Sequence, residues 1–230
     1  RRALVGRLPT PGANDPAAAP ADAVTARLRE IIQGGVPFGT LALDVHVAPQ
    51  FAAEGPARAL VTVRVGEDTP SELTSVDLLV LAADDAGKVA SVQRFAMSRP
   101  SSDVPWEGSI TLSLEQGPYQ LRIAASTPDG ERTGLLLHPI DMRPSAGELA
   151  LGVPTLLSED SQGVRPTLVR VFPAGHPLAF QVELAGEAVR KGTATLEARL
   201  VDAGGADVRT HVPTVEAAAS AAQQRATGVI

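Results

Sequence analysis

Apolar and polar residues alternate with a period of two through much of the first two thirds of the chain. The alternation is clearest at residues 41–47 and 61–65, and it is typical of antiparallel strands with one buried face. Further strands are predicted at about residues 75–83, 88–98, 108–114, 119–126 and 133–142, each bounded by Gly, Pro, Asp or Ser. The pattern therefore predicts a mainly β protein whose first antiparallel β-sandwich covers residues 36–144.

One strand-turn-strand pattern occurs twice, at residues 76–92 and again at 196–208. Each copy runs from an apolar strand through an Asp- and Gly-containing turn into a second strand, as a β-hairpin does. The repeat predicts two tandem immunoglobulin-like sandwich modules, the second at residues 145–212. The second module is predicted to lack its last strands, which leaves two explanations: a truncated chain, or an edge completed by a partner.

Both ends of the chain differ from the β-rich centre. Residues 1–20 are rich in Pro and Gly and are predicted to be a linker. Residues 21–35 predict a short amphipathic helix, with Val24, Leu28, Ile31 and Ile32 on one face and Gly34-Gly35 as its stop. Residues 213–230 are rich in Ala, and with Thr214 as a cap they predict a helix or a frayed tail.

Charge and composition exclude several partners. The net charge of −6 and the scattered basic residues argue against binding to nucleic acid or to an anionic membrane surface. The chain has no cysteine, and no apolar run approaches the length of a membrane span, about 20 residues. The chain starts at Arg1 without a methionine, which predicts a processed or excised piece from which any targeting signal has been removed.

The residues that could hold a metal have weak spacing. No pair of histidines has the helical spacing that directs two ligands to one zinc ion; the four histidines are His46, His138, His176 and His211. Four aspartates could offer oxygens to calcium, but Asp is also common in hairpin turns; they are Asp84, Asp85, Asp202 and Asp207. We therefore predict a structural role in turns for these aspartates and no metal site.

Three further features have simple structural interpretations. Residues 34–40 are rich in Gly, but they lack the lysine of a phosphate loop and precede a strand. Trp106, the only tryptophan, is predicted to pack in the core rather than to form an exposed ligand platform. Tyr119 follows Gly117-Pro118 and predicts a tyrosine corner. We predict no catalytic residue, no cofactor and no enzyme activity.

Several segments resemble a known group of bacterial proteins. They are the repeated hairpin at 76–92, the strand at 106–114, the corner at 117–123, the turn at 130–134 and the break at 172–175. Together they resemble the region after the A domain in von Willebrand factor A-related proteins of Acidobacteria-type genomes. The resemblance implies export and a neighbouring adhesion domain with an Asp-x-Ser-x-Ser metal motif, which this chain itself does not contain.

These observations support three hypotheses. The first is a non-catalytic spacer, presentation or protein-binding module that is accessory to an adhesion-type domain, with a protein or a neighbouring domain of the same polypeptide as partner. The second is a surface or appendage subunit that assembles by β-strand complementation, with self-association through an open sheet edge. The third is a carbohydrate-binding or enzyme accessory module, which requires polar groups that converge in a cleft.

Overall fold

The structure is a computed structural model. It describes residues 23–35, 39–50, 56–66, 73–98, 106–143, 150–160, 163–172, 178–191, 193–211, 214–217 and 223–229. Within these ranges the chain is mainly β with antiparallel pairing throughout, so the predicted fold class is confirmed at this level. The predicted linker at residues 1–20 lies outside the described residues.

The first part of the chain is a β-sandwich built from two antiparallel sheets. Its strands are β1 (Leu43–Gln50), β2 (Ala57–Val65), β3 (Ser75–Asp84), β4 (Val89–Ser98), β5 (Glu107–Leu114), β6 (Pro118–Ser126) and β7 (Thr133–Asp141). One sheet has the order β1-β2-β5, and the other has the order β4-β3-β6-β7. The inward positions of both sheets form one core, which includes Val61, Leu112, Leu78, Leu121 and Ile123.

Helix α1 (Ala23–Gly34) covers the outer face of the four-stranded sheet. Its buried residues Leu28, Ile31 and Ile32 pack on a second apolar cluster that includes Leu79, Leu81, Ala124 and Leu135. Two arginines flank this contact: Arg94 Nη1 donates to Thr25 Oγ1 at 2.9 Å, and Arg27 Nη1 lies 3.5 Å from Ser126 Oγ. The helix ends at the predicted stop, since Gly35 adopts a φ of 65°.

The second part of the chain forms a separate sheet and a hairpin. Its elements are β8 (Ala150–Leu151), β9 (Thr155–Asp160), β10 (Gly163–Pro166), β11 (Ala179–Ala185), α2 (Glu187–Arg190), β12 (Ala198–Val201), β13 (Asp207–His211), β14 (Thr214–Ala217) and β15 (Gln223–Val229). The sheet has the order β10-β9-β11-β15-β14, with β8 also paired to β11. Strands β12 and β13 pair with each other in a two-stranded sheet.

The prediction of a helix or tail at residues 213–230 is wrong for residues 214–217 and 223–229, which are the part of this range that the structure describes. Strand β15 pairs with β11 along seven positions, from Ala179 opposite Val229 to Ala185 opposite Gln223, and β14 pairs with β15. Thr214 therefore begins a strand and does not cap a helix. Backbone pairing with a distant strand outweighs the modest local helix preference of alanine, which amounts to less than about 1 kcal/mol per residue. The second part thus continues beyond residue 212, with two strands that the sequence did not predict.

The repeated hairpin has the same turn in both copies. Gly87 N donates to Asp84 O at 2.8 Å, and Gly205 N donates to Asp202 O at 3.0 Å. In each turn the aspartate Oδ1 also accepts from a backbone N–H, at Lys88 in one copy and at Gly204 and Ala206 in the other. Both hairpins contain a register shift before the turn and a left-handed glycine, with φ of 79° and 84°.

A substitution in the first turn tests its conformation. Gly87→Ala is expected to lower the free energy of unfolding by about 1 kcal/mol, because a side chain is disfavoured at this positive φ. Asp85→Ala, in the same turn but exposed, is the matched control and should change stability by less than about 0.5 kcal/mol. Urea denaturation of both variants measures the difference, and equal midpoints would contradict the prediction.

Candidate functional site

The outer face of the three-stranded sheet carries a row of polar side chains. Strand alternation places Val61 and Val63 of β2 in the core, so Thr62 and Arg64 point outward. The register sets Arg64 opposite Glu107 of β5, and Thr62 opposite both His46 of β1 and Ser109 of β5. Thr62 Oγ1 and Ser109 Oγ are 3.0 Å apart. We call this face, together with residues 155–160 and 163–170 that approach it, the polar junction.

Glu107 is the central acceptor of the polar junction. Its Oε1 accepts from Arg64 Nε at 2.9 Å and Arg64 Nη2 at 2.7 Å, and the backbone N–H of Leu168 donates to the same oxygen at 2.8 Å. The side chains of Arg64 and Glu107 are 18% and 5% exposed. One buried carboxylate oxygen therefore joins β2 and β5 to the second part of the chain, and such charge-assisted hydrogen bonds are stronger than neutral ones.

His46 forms the second contact across the polar junction. Its Nε2 lies 3.3 Å from Oγ1 of Thr155, whose residue is 1% exposed. Burial lowers the pKa of His46, and the positive charge of Arg170 and the neighbouring His138 lower it further. Burial also lowers the pKa of His138. The fold therefore brings together two of the histidines that the sequence singled out, in an environment that favours their neutral forms.

The lowered pKa values predict that the protein loses stability in weak acid. A histidine whose pKa is lowered in the folded state binds its proton more readily in the unfolded chain. A fall in pH therefore stabilises the unfolded state relative to the folded state. We expect stability to be constant above the ordinary histidine pKa of 6.5 and to decrease as the pH falls below it, towards the lowered values. Urea denaturation midpoints measured across this pH range test the effect.

His46→Gln separates the two histidines in this experiment. The variant should show a smaller loss of stability below pH 6.5, since only the contribution of His138 remains. Carboxylates with a lowered pKa change the stability only at a lower pH, so they do not interfere with this experiment. The pKa of Asp141, for example, lies at about 2 because Arg143 hydrogen-bonds to it. A pH profile unchanged by His46→Gln would contradict the role of His46.

His46 and Thr155 are residue types that can serve as a general base and a hydroxyl nucleophile. The burial and strand pairing of Thr155, however, favour a structural role. A nucleophile must be accessible to its substrate, whereas Thr155 is only 1% exposed. Thr155 also lies in the paired part of β9, where residue Gln181 of β11 is opposite. The geometry therefore supports a contact that holds two parts of the chain together.

The other residues that the sequence singled out are dispersed. His176 lies outside the described residues, and His211 is opposite Ala198 in the second hairpin. Asp84 and Asp202 bind backbone N–H groups of their own turns, as expected for turn aspartates. Within the described ranges, no three His, Asp or Glu side chains lie together in a way that could hold a metal ion. The part of the chain that the structure covers also has no helix with the length and apolarity needed to span a membrane.

Trp106 and Tyr119 occupy structural positions. Trp106 is 5% exposed within the sandwich core, so it does not form a surface platform. Tyr119 is also buried, and its pKa is raised by burial and by the nearby carboxylates of Glu115 and Asp84, while a hydrogen bond from the Glu115 backbone opposes the rise. The tyrosine corner itself stays a prediction. Tyr119 also lines an open depression of about 450 Å³ whose other residues include Asp84, Asp85, Pro118 and Asp141.

The known proteins that we compared with this chain resemble it over only part of its length. No family model matches the chain. A porphobilinogen deaminase from Paraburkholderia phytofirmans is 35% identical over 138 residues, which cover 53% of this chain and 40% of that protein. The chain thus spans less than half the length of this relative. A solved polysaccharide deacetylase from Bacillus cereus has a TM-score of 0.27 at 12% identity, covering 44% of this chain and 30% of that one. A TM-score this low does not indicate a shared fold.

Sequence analysis missed the residues at the centre of the polar junction. Arg64 and Glu107 lie at outward positions of their strands, where charged residues are usually solvated. Leu168 contributes a backbone N–H, which has no side-chain signature. Thr62 also occupies an outward position of its strand, and in the structure it is only 1% exposed. The alternation of β2 alone does not indicate this burial, which is visible only in the structure.

Proposed function

We propose that the chain is a non-catalytic β-sandwich module that spaces or presents a neighbouring domain of an exported bacterial protein. In this proposal the neighbour is an adhesion-type domain, and the partner is a protein or another domain of the same polypeptide. The observation that carries the proposal is the polar junction, in which Glu107 ties the second part of the chain to the sandwich. A spacer needs such fixed attachments between its parts, since otherwise the parts move independently.

We further propose that the sandwich belongs to the immunoglobulin-like class. Seven strands divided between a three-stranded sheet and a four-stranded sheet support this assignment, as does the buried Tyr119 at the start of β6. The common turn of the two hairpins supports an origin of the second part as a copy of the first. The arrangement of β11 with β14 and β15 differs from the first sandwich, so the proposed equivalence covers the hairpins alone.

The rigidity of the junction tests the proposed spacer function. The chain contains no cysteine, so a spin-label pair can be introduced at Ala90→Cys on β4 and Lys191→Cys beside α2, both of which are exposed. We expect a narrow distribution of distances between the labels, which Glu107→Ala broadens. A broad distribution in the otherwise unchanged chain would contradict a spacer function, because the second part would then be a flexible appendage.

The native gene tests the proposed neighbour. An adhesion-type domain with an intact Asp-x-Ser-x-Ser motif encoded directly before Arg1 supports the proposal. A signal peptide followed directly by this region would instead contradict the accessory role while leaving export in place.

A further inference from the structure

Among the described residues, the second hairpin, β12 with β13, has none of the strand neighbours that surround its copy in the sandwich. Strand β3 of the first copy pairs with β4 on one side and with β6 on the other. In the described part of the chain, β12 pairs with β13 alone. Three large apolar side chains of the hairpin are exposed: Leu200 at 40%, Val201 at 52% and Val208 at 62%. An isolated two-stranded hairpin is marginally stable, and an open strand edge is a template for another strand.

We propose that the free edge of β12 pairs with β12 of a second copy of this chain, antiparallel about a two-fold axis at Ala198. This inference is independent of the spacer function, because it concerns a surface that the polar junction does not use. Strands related by a two-fold axis present the same residues to each other, so their sequence must be self-complementary. Residues 196–200 meet that condition.

Charge selects this register. With Ala198 on the axis, Glu197 lies opposite Arg199 of the second copy, and Arg199 lies opposite Glu197 of the second copy. Arg199 already pairs with Glu197 in its own chain and lies 3.7 Å from Asp207. The dimer therefore aligns four alternating charges along one face, and cross-strand pairs of opposite charge stabilise a sheet.

The neighbouring two-fold registers oppose like charges. An axis at Arg199 sets two arginines opposite each other, and an axis at Glu197 sets two glutamates opposite each other. An axis at Leu200 sets Arg199 opposite Val201 of the second copy, so it forms no pair of opposite charges. Like charges directly opposite each other destabilise pairing, and the Leu200 register lacks the stabilising charge pairs, so these alternatives are disfavoured.

The apolar residues of the same segment, residues 196–200, also support the Ala198 axis. Leu196 is partly buried against a small cluster of Val182, Leu184 and Val189. The proposed register sets the exposed Leu200 opposite Leu196 of the second copy, next to that copy's cluster. Pairing would therefore join two small apolar clusters into one, and it would remove Leu200 from water.

Sedimentation equilibrium of the full chain tests the inference. The wild-type chain of 23.7 kDa is expected to form a dimer of twice this mass as the loading concentration rises. Glu197→Arg and Arg199→Glu, made separately, each convert the two opposite-charge pairs into like-charge pairs and should weaken the dimer by about tenfold or more. The double variant Glu197→Arg/Arg199→Glu restores opposite charges and should regain dimerisation.

Mixing the two single variants gives a second test. Glu197→Arg presents two positive charges and Arg199→Glu presents two negative charges, so their mixture should form a heterodimer more readily than either forms a homodimer. Arg58→Glu is the matched control, since it changes the net charge equally at an exposed position of β2 and should not affect the dimer. Far-UV circular dichroism confirms that each variant is folded.

Three results would overturn the inference. The first is a wild-type chain that stays monomeric at every loading concentration, which would also be the outcome if a different protein occupies this edge. The second is an effect of Arg58→Glu as large as that of Arg199→Glu. The third is a mixture of the single variants with no more dimer than either variant alone. None of these results bears on the rigidity of the polar junction.

Discussion

Glu107→Ala is expected to lower the free energy of unfolding by roughly 3 kcal/mol, which is the lower end of the range for breaking a buried ion pair. The substitution leaves the guanidinium of Arg64 and the backbone N–H of Leu168 without their shared acceptor. Both donors then lose a charge-assisted hydrogen bond in a place where the side chain of Arg64 is only 18% exposed. The second part of the chain should also become more mobile, because its contact through Leu168 is lost.

Two measurements separate the effect on stability from the effect on the junction. Urea denaturation gives the loss of stability, and hydrogen exchange at the Leu168 amide reports whether the junction opens. Asp141→Ala is the matched control, since it breaks a pair with Arg143 whose side chains are 50% and 61% exposed. It should cost much less stability than Glu107→Ala, because water screens an exposed pair, and it should leave the Leu168 amide unchanged. Equal effects of the two substitutions would show that Glu107 has no special role.

Leu28→Ala is expected to release helix α1 from the four-stranded sheet, with a cost of about 3 kcal/mol. Leu28 is fully buried and packs in the cluster formed by the helix and the outer face of the sheet. The helix has 12 residues, a length at which an isolated helix is marginal in water. Its helical state therefore depends on docking, and loss of docking should unfold it.

Circular dichroism at helix-sensitive wavelengths measures the release, and hydrogen exchange in α1 locates it. Gln33→Ala, at an exposed position of the same helix, is the control and should keep both signals. A helix that persists in Leu28→Ala would mean that the two arginine contacts, from Arg94 to Thr25 and from Arg27 to Ser126, are sufficient to hold it.

The sequence predicted best where local pattern and tertiary environment agree. Alternation in β1 and β2 identified strands because one face of each is buried in the sandwich core. The helical spacing of Leu28, Ile31 and Ile32 identified α1 because those residues dock on a single surface. Asp84 and Gly87 identified the turn because a left-handed glycine and an aspartate cap are local requirements.

The sequence predicted poorly where distant segments determine the structure. The alanine-rich end forms β15 through pairing with β11, and no local pattern indicates that partner. The polar junction is equally hard to predict, since Arg64 and Glu107 look like ordinary solvent-facing residues until Leu168 of the second part is placed beside them. Whether the second part is a true copy of the first stays a prediction beyond the shared hairpin turn.

Helix α1 lies on one outer face of the sandwich, and Thr155 and Leu168 of the second part contact the opposite outer face. The order through the molecule is helix, four-stranded sheet, three-stranded sheet and second part, with layers about 10 Å apart and hence a total separation of roughly 30 Å. The sandwich therefore separates any domain joined to α1 from any partner that binds the second part. Two such partners would be held apart by its full thickness, and they could influence each other only through its core.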